Sequence, residues 1–221
     1  MSYLIDIYDD QYNYIGTEDN KKAHRLGLWH CVFTCQFFNG ERNTVFFQKK
    51  YPGRYDFERP NYVDITVGGH YKAGENICDG IRELYEETSL TENDVCFSDL
   101  IPLGIRQTAA TIAPEYIANE FQHLFLYNFR GELKDLVFEN EETSGFVEVE
   151  VTDVIELLTG KKDEIESKEA FWVDGNVVVT DATMTLKDFI PSYLKIDEFA
   201  LRMMIAVERA QNGYDKEKLF W

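Results

Sequence analysis

The chain has 221 residues and a mass of 25.8 kDa, enough for one domain, or one domain with an extension. Apolar residues make up 44% and aromatics 14%, which excludes a wholly disordered chain. With 40 Asp and Glu against 22 Lys and Arg the net charge is −18, which argues against nucleic acid duplexes and anionic membrane surfaces as partners. An anionic substrate would have to be met through a bound cation.

In chain order, the first 25 residues are polar with scattered tyrosines and read as an N-terminal cover segment or short ribbon. This acidic start lacks the basic-then-apolar plan of a signal peptide, and no run approaches a membrane helix, so a cytoplasmic location is expected. From Trp29 a β-branched and aromatic run leads to Asn39-Gly40 and a second run from Thr44, a strong hairpin signal. Pro52-Gly53 marks a turn. Tyr62–Val67 reads as a short strand running into Gly68-Gly69. The pattern then predicts a helix over 77–88 and strands near 100–106, 122–129 and 146–151. Asp153 with Glu156 predicts a capped helix start, with Gly160 as its stop. The charged stretch 161–170 reads as a linker or short helix, and a helix is expected over 196–211, ahead of Gly213. Its apolar Phe199, Met203 and Val207 would form core or a dimer seam. Of the four cysteines, none forms a Cys-x-x-Cys pair, so free thiols are expected rather than a thiolate zinc site.

The chemistry concentrates in the stretch 68–90. On a helix over 77–88, Ile77, Ile81 and Leu84 form an apolar stripe, with Asp79, Glu83, Glu86 and Glu87 on the opposite side. Like charges three and four apart destabilise an isolated helix by roughly 0.2–0.5 kcal/mol per pair. A divalent cation would compensate them, and carboxylates with Mg²⁺ can hold a diphosphate and acidify an attacking water. The glycine-rich turn before the helix can face phosphate with backbone N–H groups.

Gly69, Glu75 and the Arg82-Glu83-Leu84-x-Glu86-Glu87 core resemble the Nudix box of the Nudix hydrolases. The motif covers about 22 residues, and the flanking strands and helix extend the resemblance to roughly 26–160. It implies an α+β fold, a Nudix-like α/β/α sandwich with a mixed sheet, followed by a helical C-terminal extension over 161–221 packed on the same domain. It implies Mg²⁺ (or Mn²⁺) on Glu83, Glu86 and Glu87. Glu86 would be a further ligand or the base that activates water. Gly69, Glu75 and Arg82 would be structural, Glu75 being paired with Arg82. Two departures stand out: six residues separate Glu75 from Arg82, where the common pattern has seven, and Ser89 replaces a glycine.

The shortened spacing is similar to the branch that includes isopentenyl-diphosphate isomerase. His30, His70 and Glu120 sit where that enzyme has two metal histidines and a catalytic glutamate, and His24 approximates a third histidine. The isomerase's catalytic cysteine is replaced by Gly68. The resemblance therefore implies a metal-dependent pyrophosphohydrolase acting on a nucleotide-type or other organic diphosphate, with Glu86, Glu87 and Glu120 catalytic. An isomerase-like enzyme and a nucleotide-sensing module are the alternatives. Gly69, His70, Arg54 and Arg106 are expected at the substrate, with Arg59 and Tyr55 as further candidates. Glu141-Glu142 is a weaker candidate for a carboxylate outside the box. Nudix proteins often dimerise, which leaves a homodimer open.

Overall fold

The computed structural model describes residues 2–50, 62–139, 143–215 and 218–219. Strands β1 (Leu4–Tyr8) and β2 (Tyr14–Asp19) form an antiparallel ribbon. Asp19 caps α1 (Asn20–Leu26) by accepting from the Lys22 N–H, and Gly27 ends it at φ 64°. Both ends follow helix-capping chemistry: a short acceptor at the start, a left-handed glycine at the stop. The aromatic run is β3 (Trp29–Asn39), and β4 (Thr44–Lys50) returns beside it through the Asn-Gly turn. β5 (Val63–Asp64) and β6 (Val67–His70) follow, β6 antiparallel to β3.

After the glycines come a 3₁₀ turn, Ile77–Ile81, and α2 (Arg82–Glu87). The long strands β7 (Ile101–Ala113) and β8 (Tyr116–Asn128) form a hairpin, and β8 lies parallel to β3 with Glu120 opposite His30. β9 (Thr143–Glu150) pairs with β4 and leads into α3 (Val151–Leu158). The chain continues as β10 (Ile165–Val173), β11 (Asn176–Met184), α4 (Pro191–Lys195) and α5 (Phe199–Gln211). The principal strand order is β11-β10-β9-β4-β3-β1-β2.

Neighbouring apolar residues on the central strands go to opposite faces, as strand alternation requires. Phe38, Phe47 and Val147 pack with α3 and α5 through Val154, Leu157, Met203 and Val207. Phe37, Phe46 and Phe146 pack on the other face with Leu84 of α2. Helices thus cover a mixed sheet on both sides, the α/β/α sandwich expected. Full burial of each such side chain stabilises by roughly 1.5–3 kcal/mol. Phe199, Met203 and Val207 are core, so this stripe is not a dimer seam.

Four local expectations change. The helix over 77–88 is split: its first turn is 3₁₀, at about 120° per residue, so the wheel loses phase before Arg82. Ile77 is consequently exposed while Leu84 stays buried, and Glu83 and Glu87, expected opposite the apolar stripe, are buried as well because Gly68-Gly69 lie against them. Asp153 does not cap α3, which starts at Val151 without a side-chain cap; it pairs with Lys162 at 2.7 Å. The charged stretch 161–170 enters β10, with Ile165 and Ser167 buried and Glu166 and Lys168 exposed, and the 161–221 segment therefore begins with a hairpin joined to β9. Finally, α5 starts at Phe199, because Asp197 and Glu198 are left-handed at φ 50° and 53°. All four cysteines are free thiols. Among the described residues no helix is long and apolar enough to cross a membrane.

Candidate functional site

Two groups of polar side chains meet at β6. The first comes from α2. Glu83 and Glu87 lie one turn apart and are only 8% and 5% exposed. The Glu83 carboxylate presses on Gly69, where a β-carbon would lie 2.3 Å from its Oε2. Glu87 Oε2 accepts from the Gly68 N–H at 3.0 Å and from Gln48 Nε2 at 3.1 Å. Lys50 donates to Gln48 Oε1 at 2.6 Å and pairs with Asp64 at 3.2 Å.

Burial pushes the Glu83 carboxyl up to about 7, with Arg82 opposing the rise and Glu86 adding to it. Burial likewise raises Glu87 to about 7, with Lys50 and the Gly68 N–H opposing and Glu83 reinforcing. Two crowded carboxylates that resist ionisation, with hard oxygen donors and a glycine-lined approach, fit a divalent cation such as Mg²⁺ or Mn²⁺.

Arg82 organises the rest of the box. Its Nε donates to Glu75 Oε1 at 2.9 Å, its Nη1 to Glu86 Oε2 at 2.9 Å, and its Nη2 to the His70 carbonyl at 3.3 Å. Nη2 is also 2.9 Å from Glu83 Oε1. Glu75 Oε2 accepts from the Lys72 N–H at 2.7 Å, which ties the turn to the helix. Glu86 differs from its neighbours: its side chain is half exposed and reaches Lys72 Nζ at 3.5 Å.

The second group lies on β3, β6, β8 and α1. One ligating atom from each of His24, His30, His70 and Glu120 falls within 4.8 Å of the others. His30 Nδ1 is 2.8 Å from the Leu28 carbonyl, and His24 Nδ1 is 3.2 Å from that of Ile117. Those carbonyls only accept, so each Nδ1 carries a proton, and in the neutral ring that tautomer leaves the lone pair on Nε2. The His30 Nε2 is wholly buried, has no hydrogen-bond partner among the described residues, and stands 3.9 Å from Glu120 Oε1. His24 Nε2 and His70 Nε2 are 3.0 Å apart, and His70 Nδ1 meets the Tyr3 hydroxyl at 3.1 Å. Burial, then the neighbouring imidazoles, pushes His24 down and His70 well down, which favours the neutral, ligating form. Converging imidazole nitrogens with one carboxylate and an orphaned buried nitrogen fit a borderline cation such as Fe²⁺ or Zn²⁺.

Glu120 therefore stands with the histidines. Arg106, expected at the substrate, is turned inward instead: it is 3% exposed and held bidentately by Asp197 at 2.9 and 2.8 Å. Arg54, Tyr55, Arg59, the Pro52-Gly53 turn and Glu141-Glu142 lie outside the described residues. Sequence reading passed over Gln48 and Lys50, although two polar residues at i and i+2 in an apolar strand share one face. It also passed over Tyr3 and over Gln122, two residues on from Glu120 in the same strand, and it placed Asp197 only near a helix start. A small cleft beside Glu75 is walled by Tyr8, Tyr12 and Tyr71, further rings that the sequence did not single out.

No family model matches the chain. Among solved structures, it is similar to the protein DR0079 of Deinococcus radiodurans, with a TM-score of 0.52 and 17% identity over 72% of this chain and 90% of that one. That likeness concerns the fold. A C. elegans Ap4A hydrolase in a binary complex aligns with a TM-score of 0.39 and 16% identity over 58% of this chain and 83% of that one. An uncharacterised Nudix hydrolase of Clostridium acetobutylicum is 30% identical over 206 residues, spanning 91% of this chain and 97% of that protein. With the identity spread over nearly the whole of both sequences, this chain belongs to the Nudix hydrolases.

Proposed function

We propose that the protein is a divalent-cation-dependent pyrophosphohydrolase that cleaves the diphosphate linkage of a nucleotide-type or other small organic diphosphate in the cytoplasm. The observation that carries this reading is the pairing of Glu83 and Glu87. Both are buried, both are raised to about 7, and both are held against the backbone of Gly68-Gly69. We assign them as the principal ligands of Mg²⁺ or Mn²⁺. When bound there, the ion would neutralise phosphoryl charge and lower the pKa of an attacking water.

The remaining groups hold this pair in place. Gln48 and Gly68 fix one oxygen of Glu87, and Lys50 holds Gln48. Arg82 orients Glu83, and Glu75 anchors Arg82. Glu86, at the exposed end, is assigned as the mobile carboxylate, an added ligand or the base for water. It must leave Arg82 and Lys72 to act. The 26–160 region carries all these groups, and 161–221 supports them from behind.

The test is product release from a panel of organic diphosphates with Mg²⁺, Mn²⁺ or EDTA, comparing wild type with Glu87→Gln of verified fold. Metal-dependent cleavage that drops about 10²-fold or more in the variant supports the reading. Wild-type turnover by Glu87→Gln overturns the ligand assignment.

A second reading, metal-assisted isomerisation of an allylic diphosphate, is favoured by the cluster of His24, His30, His70 and Glu120. We assign this cluster as a second, nitrogen-rich cation site in either case. Gly68 supplies no thiol for the proton shift, which ranks isomerisation second. Isopentenyl diphosphate in the same panel, with isomer detection, separates the two. Ligand binding without turnover of any compound would point to a sensing module.

A further inference from the structure

We propose that Asp197, Arg106 and Gln122 are positioning residues that hold Glu120 in ligating orientation, so that the C-terminal segment is part of the histidine cation site. The inference rests on the reading of His24, His30, His70 and Glu120 as that site.

The four side chains form one continuous chain of hydrogen bonds. Asp197 accepts from Arg106 Nε at 2.9 Å and Nη2 at 2.8 Å. Arg106 Nη1 donates to Gln122 Oε1 at 2.7 Å. Gln122 Nε2 donates to Glu120 Oε2 at 2.7 Å, which leaves Oε1 facing the orphaned His30 Nε2. The polarity is fixed at every step. A guanidinium only donates and a carboxylate only accepts, so the Gln122 amide has a single orientation that satisfies both neighbours. Charge at each end strengthens the bonds, and burial shields them from water.

Strand geometry places three of the four. Arg106 and Gln122 are cross-strand partners, and Glu120 shares the Gln122 face two residues earlier on β8. The fourth depends on the C-terminal segment. Asp197 reaches Arg106 from the left-handed pair that precedes α5, while Phe199, the first residue of that helix, sits under the guanidinium at 4.2 Å. An aspartate in the left-handed region costs less than most residues, and here the unusual conformation delivers its carboxylate to Arg106.

The experiment uses the full-length apoprotein titrated with Co²⁺, with affinity read by competition with a chelating dye and coordination read from the visible d–d spectrum. Glu120→Gln defines the signature of the lost carboxylate, and His30→Gln defines that of a lost imidazole. Asp197→Asn keeps the size and tolerates the left-handed backbone; Gln122→Leu breaks the chain at a second point. Circular dichroism verifies that each variant is folded. We expect both breaks to weaken Co²⁺ binding about 10–100-fold and to move the spectrum toward that of Glu120→Gln. Adding Asp197→Asn to Glu120→Gln should have no further effect. Wild-type affinity and spectrum in both breaks, with Glu120→Gln altered, overturns the positioning role and leaves the cation site standing. Co²⁺ binding that ignores His30→Gln removes the cation site itself, and this inference with it.

Discussion

Glu83 places its carboxylate in the space a β-carbon on Gly69 would fill, 2.3 Å from that position. The glycine is therefore required sterically by one glutamate. Gly68 is in a different situation: its added carbon would crowd the flexible Ile65 Cδ1 at 3.2 Å and touch the Phe33 carbonyl at an ordinary 3.6 Å. Gly69→Ala should displace Glu83, lower Mg²⁺ affinity at least tenfold and destabilise the fold by about 1–3 kcal/mol. Gly68→Ala should keep most of both. Metal titration calorimetry with thermal melts of the two variants checks the contrast; equal behaviour would contradict it.

Glu87→Gln separates ligation from folding. A glutamine oxygen can still accept from Gln48 and from the Gly68 N–H, and the variant has no carboxylate to ionise in a buried place. Burying an uncompensated charge is expensive. At pH 8 without metal the variant should melt at or above the wild-type temperature, and added Mg²⁺ should raise only the wild-type melting temperature. A variant that melts lower without metal would show that the ionised Glu87 stabilises the fold.

The same two carboxyls set a pH dependence for the metal-free protein. Their values rise from 4.5 to about 7 on folding, so in that interval the folded chain holds protons that the unfolded chain has released. Their stabilising contribution is full below pH 4.5 and is lost as pH rises through about 7. Melting temperatures in EDTA should fall between pH 5 and 8, and saturating Mg²⁺ should flatten the decline. A melting temperature that rises over this interval in EDTA, and still rises in Glu83→Gln, would show that other groups dominate.

Tyr3 touches the histidine cluster from the N-terminal ribbon, its hydroxyl 3.1 Å from His70 Nδ1. Removing it leaves the His70 ring without its outer partner. Tyr3→Phe should weaken binding of a transition metal at the cluster about tenfold while leaving Mg²⁺ affinity at Glu83 and Glu87 unchanged. Competition assays with each metal test both halves; a parallel loss at both sites would mean that Tyr3 acts on the fold as a whole.

Some of this was legible in the residue order and some was not, and the division follows distance along the chain. The Asn39-Gly40 hairpin, the aromatic strand before it and the glycine-rich turn ahead of an acidic helix are local patterns with local causes. Gly69, Glu75, Arg82, Glu83 and Glu87 lie within one loop and one helix, so their spacing brought them to attention. The helical wheel nevertheless set Glu83 and Glu87 on the side opposite the apolar stripe. What buries them is Gly68-Gly69 and Gln48, contributed by strands that a wheel of one helix does not contain. The hairpin β10–β11 was hidden under high charge, though its alternation of buried and exposed residues has the period of a strand.

By itself, the sequence determined the mixed α/β character, the acidic surface and the glutamates available for a cation, since all three follow from composition and short-range periodicity. Tertiary structure alone decided which face each glutamate occupies and that Arg106 binds Asp197 rather than solvent; the resemblance already grouped Glu120 with three histidines, and only the fold brings their ligating atoms within 4.8 Å. Such contacts join residues far apart in the chain, 46 positions for His24 with His70 and 91 for Arg106 with Asp197. No local preference encodes them. They exist because β3, β6, β7 and β8 share one sheet and the loop before α5 closes over it, and only in that arrangement do scattered polar side chains find buried partners.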